Sequence, residues 1–304
     1  MRGCEELGIR TDLAIENLEI LDENGAAEPE KLEIPGVKVD SFERDCGIRI
    51  FRVWVMDEQG AKLLGKPEGE YITIEIPGLA GGEAAQKDFA SRVVSEELSR
   101  MIPFHDKLKV LVIGLGNDDV TPDALGPRTA AKVRVTRHIF LLCDMDRDEE
   151  MACVSVLAPG VMASTGMETA ELIQKAVAIA NPDVILAIDA LAARSLDRIS
   201  STIQITDTGI SPGAGTGNMR KQVTKESTGA KVVAIGVPTV IDAGTLILDA
   251  LEGFLSDPKA AADHLAEKDA SMIVTSSAID EVIADFSQVI SDAINITLHP
   301  GIYS

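Results

Sequence analysis

The apolar residues of this chain fall into two textures. In IRIFRVWVM (48–56) and EYITIEI (70–76) they alternate with polar ones and are mostly β-branched or aromatic. That period of two predicts an antiparallel pair of half-buried strands joined through a glycine-containing link. From residue 108 the alternation stops. LKVLVIG (108–114), CVSVLAPG (153–160), DVILAID (183–189), TIQIT (202–206) and KVVAIGVP (231–238) are short, continuous aliphatic runs. Strands buried on both faces of a parallel sheet have this character. Helical periodicity occupies 83–101, 123–134, 168–180, 243–255 and 276–296, the last with Ser276 as its N-cap.

Alternation of strands and helices predicts an α/β fold: a mainly parallel twisted sheet flanked by helices, with a small antiparallel β element at the N-terminus. Residues 1–40 are acidic and broken by Gly and Pro, which reads as a loosely structured lead-in. The expected division is an N-terminal β/helix element over 40–104 and a core over 105–304, within one domain.

In open α/β sheets, functional residues gather at the carboxyl ends of the strands. Two similar stretches land there. TPDALGP (121–127) follows LKVLVIGLGN, and AIDALAARS (187–195) carries the aspartate that closes DVILAID. Asp123 has a structural explanation, because Thr121-Pro122-Asp123 suits a helix start, where Pro and an acid are favoured. Asp189 ends an apolar strand, where a buried carboxylate is unfavourable unless something pairs with it; Arg194 and Arg198 are near in sequence.

Composition narrows the remaining chemistry. The 304 residues are 45% hydrophobic but only 3% aromatic, so aliphatic side chains must fill the core. No apolar run reaches the roughly 20 residues of a membrane span. MRGCEELGIRTDLA has no apolar h-region and does not read as a secretory signal. Cys4, Cys46, Cys143 and Cys153 show neither CxxC pairing nor zinc spacing, so a reducing cytoplasm and no metal or cofactor are expected. A net charge of −21 disfavours direct binding to nucleic acid or to an anionic membrane, and suits solubility or a basic partner.

Familiar catalytic motifs are missing. A dinucleotide fingerprint from Gly114 would need glycine where Asp119 stands, and a P-loop from Gly213 would need it at Asn218. There is no GxSxG elbow, and the four histidines have no motif partners. GISPGAGTGNMRK (209–221) is either a surface turn or a glycine-rich wall of a substrate groove, with Gly213 and Gly215 in it and Arg220 able to meet a carboxylate. Paired carboxylates are what remains. Two close aspartates share a proton, and such a pair can act as base and acid on water. The same two residues could instead hold a divalent ion, or the scaffold could be a non-catalytic ligand-binding protein.

GLGNDDVTPDALGP (114–127), PGVMASTGMET (159–169), the long block 187–218 and AIGVPTVIDA (234–243), with RTDLAIE (10–16) upstream, together resemble the germination proteases of endospore-forming bacteria. The resemblance implies a fold similar to hydrogenase-maturation proteases and an endopeptidase of atypical aspartic type. It implies degradation of small acid-soluble, DNA-coating spore proteins in the spore core during germination. It further implies a homotetramer made as a zymogen that removes its own propeptide. Asp123 and Asp189 take the places of the family's proposed catalytic aspartates. Cleavage after an acidic residue points to the Asp12–Leu13 bond, with 1–12 as propeptide and 13–304 as the peptidase domain. A basic residue should receive the acid before the scissile bond, and Arg194 and Arg220 are the candidates. The segment LSDPKAAADHLAEKDASM (255–272) is shorter than expected for the family, which bears on tetramer contacts, and the start MRGC differs from the family's propeptides, which bears on zymogen control.

Overall fold

The computed structural model describes residues 11–21, 32–211, 213, 221–251, 254–255, 257–267 and 272–303. Helix α1 (Ala14–Leu21) is followed by β1 (Val37–Glu43), β2 (Arg49–Val55), α2 (Glu58–Leu64), β3 (Gly69–Glu75) and α3 (Ala84–Met101). Then come β4 (Lys109–Gly114), α4 (Leu125–Ala130), β5 (Cys153–Leu157), α5 (Thr169–Ala180), β6 (Val184–Ala193) and β7 (Thr202–Thr206). The chain closes with β8 (Lys231–Asp242), α6 (Ala243–Ala250), α7 (Pro258–Glu267), β9 (Ile273–Thr275) and α8 (Ile279–Leu298).

Among the described residues, nine strands form one sheet in the order β1-β2-β3-β7-β8-β6-β4-β5, with β9 on the far end of β8. Its direction is mixed. The pairs β4–β5, β4–β6 and β6–β8 are parallel, whereas β1–β2, β2–β3, β3–β7, β7–β8 and β8–β9 are antiparallel. This corrects the expectation of a mainly parallel sheet. TIQIT reads as an inner parallel strand because it is buried throughout, but burial on both faces reports depth and not direction. Running antiparallel, β7 welds the N-terminal strands to the parallel half, so no separate β element stands apart. The polar lead-in also contains structure: α1 buries Ala14, Ile15 and Leu18, and β1 begins at Val37.

The two faces of the sheet are filled differently. On one, β-strand residues such as Ile72, Ile74, Ile203, Ile205, Val233, Ile235 and Ile188 meet α3 and α8 in the larger core. Helix α8 contributes a full stripe, Val282, Ile283, Phe286, Val289, Ile290, Ala293, Ile294 and Leu298, at the spacing an amphipathic helix needs. It starts at Ile279 after Ala278; Ser276 accepts a hydrogen bond from the Ala278 N–H but is not the cap residue. On the other face, Leu111, Ile113, Ile185 and Ala187 pack on Ile173 of α5. Beside them, Phe51, Val53, Tyr71, Leu191 and Ala193 are covered by Leu13, Ala14, Ile15 and Leu18 of the N-terminal segment.

Candidate active site

Asp189 does not end its strand, as its run of residues suggests; β6 continues to Ala193. Its special position comes from the neighbour. Strand β4 last pairs at Gly114 opposite Ile188, and the Leu115 N–H donates to the Ile188 carbonyl at 2.8 Å. Beyond that point the β4 edge of β6 is vacated. Asp189 is therefore the first residue past the end of the parallel ladder, 4% exposed, with its Oδ1 accepting from the Ala190 N–H at 3.0 Å.

The register sets its companions. Asp189 lies opposite Gly236 of β8, Gly236 opposite Gln204 of β7, and Gln204 opposite Thr73 of β3. Residues in one row present their side chains to one face, and two strand spacings separate Asp189 from Gln204 by roughly 10 Å between Cα atoms. Gly236 leaves the space between them without a side chain of its own, and Leu191 leans into it; a Cβ at Gly236 would lie 2.4 Å from Leu191 Cγ.

Asp123 is carried by the loop that leaves β4. It sits half-buried in a one-turn 3-10 helix, Thr121–Asp123, with Pro122 in its first turn, just before α4. The triplet is thus at a helical start, but Thr121 is not a cap: Val120 precedes the turn, and α4 begins after Ala124. The glycines around it serve close approach and not phosphate binding. Gly116 has φ +112°, and a Cβ there would fall 2.0 Å from the Asp123 carbonyl oxygen. Gly126 touches the Leu115 and Ile188 carbonyls, where a Cβ would come within 2.1 and 2.6 Å. The buried Thr239 of β8 donates its hydroxyl to the Pro122 carbonyl at 2.7 Å, tying the turn to the sheet. Ala124 and Leu125 are buried in the larger core, which anchors the turn at the end of β4.

That segment occupies the vacated edge of β6. The Asp12 N–H donates to the Ala192 carbonyl at 2.9 Å, and the Ala192 N–H donates to Asp12 Oδ2 at 2.8 Å. Because the side chain takes the ladder donor, the Asp12 carbonyl is left for two others: Lys66 Nζ at 2.8 Å and Gln204 Nε2 at 3.0 Å. Gln204 Oε1 in turn accepts from the Ala14 N–H at 2.7 Å, so one side chain grips the chain on both sides of Leu13. The Leu13 N–H donates to Thr11 Oγ1 at 3.0 Å, and the Leu13 side chain is wholly buried.

Glu16 anchors the next turn. Its carboxylate accepts from the Arg194 N–H at 2.7 Å, the Ser195 N–H at 2.9 Å and the Thr11 hydroxyl. Burial pushes the Asp12 carboxyl above its ordinary range, opposed by the Lys66 charge and the Ala192 hydrogen bond. Burial likewise raises Glu16 against its three hydrogen bonds and the Arg198 charge. Arg198 straps α1 down, with Nη1 and Nη2 at 2.5 and 2.6 Å from the Glu19 carboxylate and Nε at 3.0 Å from Glu75.

The Arg194 side chain is directed to Asp249 of α6, with Nε 3.4 Å from Oδ1. Gly213 is half-buried with φ +74°, and Gly215 and Arg220 lie outside the described residues. Among the described residues there is no cluster of three or more His, Cys, Asp or Glu that could hold a metal ion, and no helix long and apolar enough to cross a membrane. Lys66 and Gln204 carry no motif. The one sequence signal is that Gln204 is an amide in the middle of the apolar run TIQIT.

Residues 14–257 match the family model described as germination protease. A germination protease of Caldanaerobacter subterraneus subsp. tengcongensis is 41% identical, over 97% of this chain and 96% of its own. One from Clostridium perfringens is 39% identical over 96% of both chains. One from Bacillus licheniformis is 42% identical over 82% of this chain but only 68% of its own length. The short 255–272 segment thus accompanies near end-to-end coverage of the first two relatives, while the Bacillus chain is longer.

Proposed function

Because the chain belongs to the germination protease family, and is therefore a peptidase, we propose that it is an autoprocessing endopeptidase that cleaves after acidic residues. Its own first substrate is the Asp12–Leu13 bond, releasing residues 1–12. Its later substrates are small acid-soluble, DNA-binding spore proteins degraded at germination in the spore core, and the working form is a homotetramer. The net charge of −21 fits this role, since an acidic enzyme does not adhere to the DNA its substrates coat.

Asp123 and Asp189 divide the acid–base work. One, ionised, takes a proton from a water whose oxygen bonds to the carbonyl carbon. The other, protonated, gives its proton to the leaving nitrogen as the C–N bond breaks, leaving a new carboxyl group and a new amine. The observation that carries this reading is the seat of the N-terminal segment: Asp12 pairs with β6 three residues beyond Asp189, and Gln204, in the row of Asp189, holds it on the same face.

The test is expression of wild type, Asp123→Asn and Asp189→Asn, followed by N-terminal sequencing and incubation with a purified acid-soluble spore protein. Each variant is expected to lose about 10²- to 10⁴-fold in rate, the usual worth of a general acid or base. A variant that processes itself at the wild-type rate removes that residue from the mechanism. Exhaustive chelation is expected to leave the wild-type rate unchanged; a loss restored by a divalent ion would favour the metal-assisted version.

A further inference from the structure

We infer that Lys66 and Gln204 form the carbonyl-polarising site of this peptidase, and that Lys66 together with the Ala192 main-chain N–H selects the acidic residue before the scissile bond. The inference rests on the proposal that the Asp12–Leu13 bond is a substrate of the chain.

Peptide hydrolysis gathers negative charge on the carbonyl oxygen as the tetrahedral intermediate forms. Donors fixed about 2.7–3.1 Å from that oxygen stabilise the developing charge without having to reorganise. The Asp12 carbonyl has two such donors, an ammonium at 2.8 Å and a carboxamide at 3.0 Å. Neither contact is incidental to local chain geometry, since Lys66 follows α2 and Gln204 stands in the middle of β7. The Gln204 amide cannot rotate freely, because its oxygen is committed to the Ala14 N–H at 2.7 Å. That commitment aims its N–H₂ at the carbonyl.

The same seat reads the side chain. Asp12 Oδ2 accepts the Ala192 N–H, a donor that would otherwise serve a strand on the vacated edge of β6, and the Lys66 charge offsets part of the burial that raises the carboxyl group. A neutral residue of similar shape keeps the first interaction at most. It loses the second. Specificity for an acid therefore comes from a strand edge and a turn lysine; Arg194 directs its Nε toward Asp249, 3.4 Å away.

The full-length chain is tested by its own cleavage, measured as first-order loss of residues 1–12, with circular dichroism to verify folding. Lys66→Met and Gln204→Glu are each expected to slow cleavage by about 10²-fold or more, the effect of deleting one oxyanion donor. Gln204→Glu keeps an acceptor for Ala14 but has no donor for the carbonyl, which separates polarisation from simple seating. Lys66→Arg, which keeps charge and donors, is expected to recover most of the rate. A merely structural lysine would not couple to the side chain of Asp12. Asp12→Asn should slow the wild type strongly and the Lys66→Met chain hardly at all. Wild type cutting at Asp12–Leu13 while both Lys66→Met and Gln204→Glu keep pace overturns this assignment and leaves the proposed function standing. Wild type cutting elsewhere overturns the proposed substrate and this assignment with it.

Discussion

The two faces of the sheet are held by different means. The larger core is closed by α3 and α8, whose buried residues are aliphatic apart from Phe286, Ser91, Ser95, Glu97 and a few hydroxyl and amide groups on α8. Its helices belong to the body of the chain. The smaller core is closed by a short segment, and Leu13, Ala14, Ile15 and Leu18 bring two carboxyl groups, Asp12 and Glu16, down with them. One face is a permanent hydrophobic seal. The other, beside the part covered by α5, is a seat in which the N-terminal segment is fastened by hydrogen bonds to main chain and by Lys66, Gln204 and Arg198.

This difference is broken or upheld most strongly by truncating each core. Phe286→Ala removes a wholly buried ring from the larger core and should lower stability by about 3–5 kcal/mol, read as a shifted midpoint of denaturant unfolding. Leu18→Ala is also a buried truncation, worth about 2–5 kcal/mol where structure cannot relax. Here the segment can lift instead. The expected result is faster limited proteolysis near residues 11–21 with a smaller change in the global midpoint. Equal shifts in midpoint would mean that both faces unfold as one unit.

The same contrast explains what the sequence makes legible. Continuous aliphatic runs locate β4, β5, β6 and β8, and helical period locates α3 at 84–101 and α5 at 169–180 within a residue of expectation. Strand direction is not written in such runs, so β7 reads as parallel and is not. Helix α1 is hidden because it is only eight residues long and its apolar positions are mixed with Glu16, Asn17 and Glu19; the two acids look like solvent-facing charge until Arg198 and the main chain just after β6 receive them. Asp123 and Asp189 stand out as acids beside apolar strands. Lys66 and Gln204 do not, because their meeting with Asp12 is made by tertiary folding across 54 and 192 residues of chain.

Glu16 sharpens the comparison next. Replacing it by Ala strands the Arg194 and Ser195 N–H groups, and a buried donor without a partner costs about 1–3 kcal/mol. Glu16→Gln keeps one good acceptor and carries no desolvated charge, so it should be the milder change. Hydrogen exchange at Arg194 and Ser195 reads the effect directly. Protection there should collapse in Glu16→Ala and largely survive in Glu16→Gln, while the amides of α8 stay unchanged in both. Loss of α8 protection in Glu16→Ala would show that the seat supports the larger core after all.

The smallest expected effect is the one with acid. Burial raises the Asp12 and Glu16 carboxyls above their ordinary values of 3.8 and 4.5, so the segment binds protons more tightly when seated than when lifted off the sheet. Stability of the seat must then rise as pH falls from neutral through the raised values, because the desolvation penalty on each ionised carboxylate is relieved. The gain stops below the ordinary values, where both forms are protonated. This is opposite in sign to an acid held by an ion pair, whose contribution disappears as pH falls. Hydrogen exchange of residues 12–18, corrected for the intrinsic pH dependence of exchange, measures it in an Asp189→Asn chain, which the proposed mechanism leaves uncut. Protection should grow on acidification and the growth should shrink in Glu16→Gln. Protection that weakens toward acid would mean that Lys66 and the main-chain donors outweigh burial, and the seat would then be an ion-pair clasp at neutral pH.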